Sequence, residues 1–204
     1  MMTQGPHHIV FKEYQQAETV AWDQYLHLIP KGLVSRLDKR LLTVYFNYFN
    51  GKIKLPISTG SCKTIKGVLT HFKDCDCISV KADESKPPAS IRLLGSDKSD
   101  SHRGGESFGM IFDEYQDQDP YGWDFVYSPF FATTNGWVSF MGTAKDDENW
   151  NESVTYAENS DKWYFSRATW RDNPLIKKEW IEEERKEAEL KGKLGPFLQE
   201  YELV

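Results

Sequence analysis

Apolar and polar positions alternate in blocks along this chain, and the blocks predict its elements. Over 15–29, "QQAETVAWDQYLHLI" places Ala17, Val20, Ala21, Leu28 and the aromatics Trp22 and Tyr25 at mixed helical spacing and predicts a helix, which Pro30 stops. "LLTVYFNYF" is rich in β-branched and aromatic residues and predicts a strand. "SIRLLG" predicts a short strand, and "SDKSDSHRGG" a polar loop ending in glycines. "FGMIFDE" is an apolar strand running into two carboxylates, "DPYGWDFVYSPFF" a short helix, and "GWVSFMGTA" a second buried strand ending near Met141. Strand, helix and strand in that order predict a parallel βαβ unit in an α/β domain, a mostly parallel central sheet flanked by helices. Near the end, "DNPLIKKEWIEEERKEAELKGK" predicts a solvated helix with Asp172 or Asn173 as N-cap and Pro174 in its first turn.

Composition narrows the class. A chain of 204 residues fits one domain, 1–204, and 14% aromatic content marks a folded one. The net charge of −6 supplies no global field for nucleic acid, although a local basic patch is compatible with it. No apolar run is long enough to span a membrane, and the N-terminal stretch has no signal-peptide core. The cysteines, Cys62, Cys75 and Cys77, are odd in number and read as reduced thiols of a cytoplasmic protein. With His71 they could form a zinc set, but the C-x-C spacing departs from common zinc sites, so they are expected to be metal-free. The stretch 52–88 mixes these cysteines with polar residues and predicts an irregular insertion.

Two stretches carry candidate chemistry. "ISTGSCKT" ends in Lys63 and Thr64, the closing pair of a phosphate-binding loop. The glycines such a loop needs would fall on Ile57 and Cys62, and a β-branched residue tolerates the required φ poorly. The stretch therefore reads as a surface turn, with a divergent nucleotide-binding loop as the alternative. "GKIKLPI" before it could be a strand and "IKGVLTHF" after it a short helix. "GMIFDE" places Asp113 and Glu114 at the C-terminal end of a buried strand, where open α/β sheets bind ligands. There one carboxylate can hold Mg²⁺ and the other can orient a water for attack on a γ-phosphate.

The run from Ser90 to Lys145 resembles the ATPase domain of phage large terminase subunits, the DNA-packaging motors. It carries, in order, Gly-Ser-Asp, Ser-His-Arg-Gly, a strand ending Asp-Glu-Tyr, Asp-Pro-Tyr-Gly-Trp and a strand ending Gly-Thr-Ala. The later "WRDNPLIKKEWIEEERKEAE" and "FLQEYELV" resemble the segment closing that domain. The resemblance implies a P-loop-NTPase-like fold. Asp113 is its Mg²⁺-associated Walker B acid, Glu114 the catalytic base, and Gly142 and Thr143 the coupling motif. Arg103 is an arginine near the nucleotide or subunit interface, with a loop salt bridge as the alternative. ATP and Mg²⁺ would be the cofactors. Phage DNA, the portal protein and the small terminase subunit would be partners, in a possible homo-oligomer in the bacterial cytoplasm. "EYQQAETVAWDQYLHLIP" resembles the family segment after the phosphate loop, so the true loop would lie before Glu13, where "MMTQGPHHIVFK" has none. GSCKT then reads as a decoy inside an insertion. The chain would be a truncated product, a prophage remnant or one piece of a split protein, inactive alone. The alternatives are a stand-alone NTPase using GSCKT and a non-catalytic binding module.

Overall fold

The computed structural model describes 5–29, 34–46 and 88–202, together with the backbone of four short strands within 53–80. Two compact units form, Met1–Phe140 and Met141–Val204. The first is built on a six-stranded mixed sheet in the order β10-β9-β1-β8-β3-β2. Its strands are β1 (Pro6–Phe11), β2 (Val34–Asp38), β3 (Thr43–Phe46), β8 (Ser90–Gly95), β9 (Gly109–Phe112) and β10 (Trp137–Phe140). β8, β1, β9 and β10 run parallel, whereas β3 pairs antiparallel with β8 and β2 antiparallel with β3.

The central strand is β1, "PHHIVF", which the periodicity did not reveal. It lies between β8 and β9 with Val10 fully buried. A strand covered on both faces carries no alternation, and two histidines in mid-strand look polar in sequence. The structure resolves their polarity. Ser107 Oγ donates to the Gly109 carbonyl at 2.9 Å, so it accepts from His8 Nδ1–H at 3.0 Å. Burial, with Arg92 and His102 adding to it, holds His8 near a pKa of about 3, neutral inside the protein.

Successive residues of each strand face opposite sides of the sheet. On one side, Phe11, Val44 and Leu93 pack with Leu42, Ala17 and Trp22. The last two come from the helical stretch after β1: α1 (Tyr14–Gln16), a π-helical turn (Ala17–Ala21) and α2 (Trp22–Leu28). On the other side Phe112 stacks on Phe140 at 5.0 Å and meets Tyr115, Trp123 and Tyr127 edge-on. Trp123 and Tyr127 belong to the predicted short helix, a π-helical segment Gly122–Tyr127 running into a 3-10 turn Ser128–Phe131. It connects the parallel neighbours β9 and β10, as the βαβ reading requires.

Other expectations need correction. The polar loop after β8 is wound into 3-10 turns over Ser96–His102. Four short strands lie outside the main sheet: β4 (Ile53–Pro56) pairs antiparallel with β7 (Cys77–Val80), and β5 (Cys62–Ile65) with β6 (Val68–His71). Val68–His71 is thus strand and not helix, because the β-branched Val68 and Thr70 favour the pleat. The remaining expectations for 52–88, including those on Cys75 and on every cysteine side chain, lie outside the described residues.

The second unit holds α3 (Glu148–Asn159), α4 (Lys178–Leu190) and α5 (Leu194–Phe197). Asp147 caps α3 by accepting from the Trp150 N–H at 3.0 Å. Sequence reasoning missed this helix, whose polar run buries no residue. Neither Asp172 nor Asn173 caps α4, which starts from Lys177 without a side-chain cap. Asp172 closes a capping box with Thr169 one turn earlier, and Arg171 pairs with both carboxylate oxygens of Glu202. Among the described residues no helix is long and apolar enough to cross a membrane.

Phe112 anchors the aromatic layer, so Phe112→Ala should cost about 3–5 kcal/mol, read from the midpoint of urea unfolding. Acid should also destabilise the protein. His8 and His102 are held neutral, with pKa values lowered to about 3 and about 4, chiefly by burial. The unfolded chain takes up these protons below about pH 6.5, whereas the folded chain does so only near 4 and 3. Stability should be flat above pH 6.5 and fall steadily from there toward pH 4. The His8→Asn variant, which keeps a donor for Ser107, should show a shallower slope in melting experiments run as a pH series.

Candidate functional site

The C-terminal ends of β1, β8 and β9 are drawn together by hydrogen bonds to the last residues of β1. At the β8 end, Asp97 N–H and Ser96 Oγ both donate to the Lys12 carbonyl, at 3.2 and 2.9 Å. Asp97 Oδ1 in turn accepts from Tyr14 N–H at 2.8 Å, at the first residue of α1. Gly95 makes this approach possible, because a Cβ there would stand 2.2 Å from the Tyr14 nitrogen. The Gly-Ser-Asp sequence is therefore a clamp on the turn that follows β1. Lys98 completes it by lying over the Tyr14 ring at 4.2 Å.

At the β9 end, Asp113 N–H donates to the Val10 carbonyl at 2.9 Å. Glu114 follows in the left-handed region, φ 52° and ψ 45°. A residue carrying a Cβ costs about 1–2 kcal/mol there relative to the usual right-handed well. The turn closes through Asp117 N–H to the Glu114 carbonyl and Gln118 N–H to the Tyr115 carbonyl. Asp113 is part-buried and Glu114 exposed. Burial, and secondarily the Glu114 charge beside it, raises the Asp113 pKa. The two carboxyl groups thus differ: one is partly desolvated beside the strand end, the other reaches water from a strained backbone.

The remaining candidates belong to other segments of the chain. Arg103 is held by its own chain: it donates to Asp100 Oδ1 through Nε at 3.0 Å, to the Phe125 carbonyl at 3.1 Å and to the Tyr121 hydroxyl at 2.5 Å. It thereby ties the 3-10 turns to the helix above β9. Its partners match the loop salt-bridge reading and are not the carboxylates of Asp113 or Glu114. β10 ends with Phe140 opposite Phe112, and Gly142 and Thr143 follow it in the chain, within the second unit. Lys63 and Thr64 lie in β5, paired with Thr70 and Leu69 of β6. They belong to a two-stranded ladder separate from the sheet that carries Asp113, and their backbone is extended where a phosphate loop would curl.

Sequence reasoning also missed Gln118. Its side chain is buried, and its Nε2 donates to the Asp113 carbonyl at 2.7 Å and the Val10 carbonyl at 3.2 Å. Both partners are carbonyl oxygens, so the amide nitrogen must face them, and Oε1 is left buried without a partner among the described residues. An orphaned acceptor of this kind costs about 1–3 kcal/mol. Only the Asp-Gln-Asp run after the carboxylate pair signals the residue in sequence, and such a run reads as a solvated turn.

The donor set can be weighed against Mg²⁺. That ion takes one or two carboxylates and completes its shell with water and substrate phosphates. Asp113 with Glu114 beside it satisfies the protein's share, and among the described residues no group of three His, Cys, Asp or Glu forms a closed metal cage.

With the geometry in place, comparison with known proteins defines the fold. No family model matches the chain, and no curated protein matches it. Solved structures do. The large terminase ATPase domain of Thermus phage P74-26 aligns over 97% of this chain and 75% of that one, with a TM-score of 0.63 and 17% identity. A point mutant of the same domain aligns over 97% of this chain and 76% of that one, at 0.60 and 17%. The large terminase of a second thermophilic bacteriophage aligns over 90% of this chain and 37% of that one, at 0.57 and 13%. The protein has the fold of a phage large-terminase ATPase domain, with its sheet open.

The Glu114 backbone gives a direct check. Glu114→Gly should be more stable than Glu114→Ala by about 1 kcal/mol, because only glycine adopts the left-handed region freely. Equal melting temperatures for the two variants would show that the turn is not left-handed in solution.

Proposed function

We propose that the chain is a terminase large-subunit ATPase-domain fragment, by descent a component of ATP-driven phage DNA packaging. One observation carries the reading. Asp113 and Glu114 stand together at the C-terminal end of a parallel strand, in a sheet that superposes on terminase ATPase domains. In this reading β9 is the Walker B strand, Asp113 is the carboxylate facing Mg²⁺, directly or through water, and Glu114 orients the attacking water. Bound Mg-ATP would supply the electrophilic γ-phosphorus. The chain's own residues hold the carboxylates in place, and Gln116 Nε2 donates to Glu114 Oε2 at 2.5 Å. Gly142 and Thr143 are proposed to form the coupling motif, and phage DNA, the portal protein and the small terminase subunit are the proposed partners.

The phosphate cradle is the weak point of the site. Lys63 sits in a ladder apart from β9, so GSCKT is proposed to be a decoy within an insertion over 52–88, and the 204 residues are proposed to be inactive by themselves. Positioning of the γ-phosphate supplies most of the catalysis in phosphoryl transfer, and a carboxylate pair cannot provide it. The negative net charge adds a small field against ATP.

Mg-ATP turnover measured on wild type, Lys63→Ala and Glu114→Gln tests this directly. All three are expected at the uncatalysed background. Turnover abolished by both substitutions would make GSCKT a working loop and the protein a stand-alone NTPase. Turnover lost only with Glu114→Gln would place a phosphate cradle elsewhere in the chain.

A further inference from the structure

We propose that Gln118 is a positioning residue for the carboxylate pair, and that its carboxamide crosslinks the ends of β1 and β9 to hold Asp113 and Glu114 in their orientation. The inference rests on the reading of Asp113 and Glu114 as the reacting carboxylates, but its geometry stands without that reading. The backbone already closes the turn: Asp113, Asp117 and Gln118 each donate a main-chain N–H within it or to Val10. An apolar side chain at 118 would fill the same buried place. A glutamine there adds two further bonds, to the Asp113 carbonyl and to the Val10 carbonyl, and leaves Oε1 orphaned.

Those two bonds fall where orientation is decided. The Asp113 carbonyl belongs to the peptide unit that leads into left-handed Glu114. Fixing that oxygen fixes the peptide plane, and with it the φ of Glu114 and the direction in which its side chain leaves the strand. The Val10 carbonyl accepts from both Asp113 N–H and Gln118 Nε2, so one oxygen of the central strand sets the height of the whole turn. The carboxamide thus locks a conformation that the backbone disfavours, at a burial cost an apolar residue would not carry.

The experiment compares wild type with Gln118→Met, which keeps the bulk and removes the donors, and Gln118→Glu, whose carboxylate would face two carbonyl oxygens. Amide hydrogen exchange and the carbon chemical shifts of Asp113 and Glu114 are read by NMR, with the melting temperature alongside. In Gln118→Met the Asp113 amide is expected to exchange at least about tenfold faster while β8 amides keep their protection. The Glu114 Cα shift should leave its left-handed value. Gln118→Glu should move the same signals further. If either variant fails to fold, Gln118→Asn keeps the amide but is one methylene shorter, and an intermediate Asp113 exchange rate is expected. Unchanged Asp113 and Glu114 signals would overturn the proposal. So would faster exchange spread evenly over the sheet, which would make Gln118 a packing residue only. No readout uses ATP, so failure of the ATPase reading and failure of this one are distinguishable.

Discussion

The carbonyl groups at the end of β1 carry more of this architecture than any side chain does. Val10 and Lys12 accept from both flanking strand ends: Asp113 and Gln118 on the β9 side, Ser96 and Asp97 on the β8 side. In a parallel sheet every strand end points the same way, and each must release its chain into a different connection. Four donors converging on two oxygens keep the three ends level while the chain departs. Without that, the carboxylate turn after β9 and the helix after β1 would have no common reference. The aromatic layer and the aliphatic layer cover the two faces, but they are indifferent to the exact height of the turn.

What could be read from the sequence follows from how each strand is buried. β9 and β10 announce themselves as apolar runs closed by chemically distinct residues, so the carboxylate pair and its parallel neighbour were visible. β1 was hidden by His7 and His8. A buried histidine looks like a surface residue until its partner is known, and Ser107 lies about a hundred residues away. The same applies to Gln118, Asp97 and Gly95, whose meaning comes only from carbonyls and amides of other strands. Local pattern also misplaced the cap of α4 and overlooked α3, because polar helices with few buried residues leave little periodic signal.

Resemblance and structure carry different weight for the candidate site. The residues that matched by motif divide once they are placed: Asp113 and Glu114 share a strand end, Arg103 is engaged by Asp100, Tyr121 and the Phe125 carbonyl, and Lys63 lies in another ladder. A motif match gives order along the chain, whereas a site needs proximity. The Arg103 contacts include the loop salt bridge to Asp100 and also tie the polar turns to the helix over β9.

The central place of β1 also shapes how the protein must assemble. Its two partners, β8 and β9, follow it by about eighty residues or more along the chain. No hairpin can nucleate the heart of the sheet, and the loop-closure entropy falls due before the pairing is gained. While the intervening chain is being synthesised, Ile9, Val10 and Phe11 have neither ladder partner. A nascent chain of this design spends its early life with its central strand unpaired, a state in which chaperones and self-association compete for the same few residues.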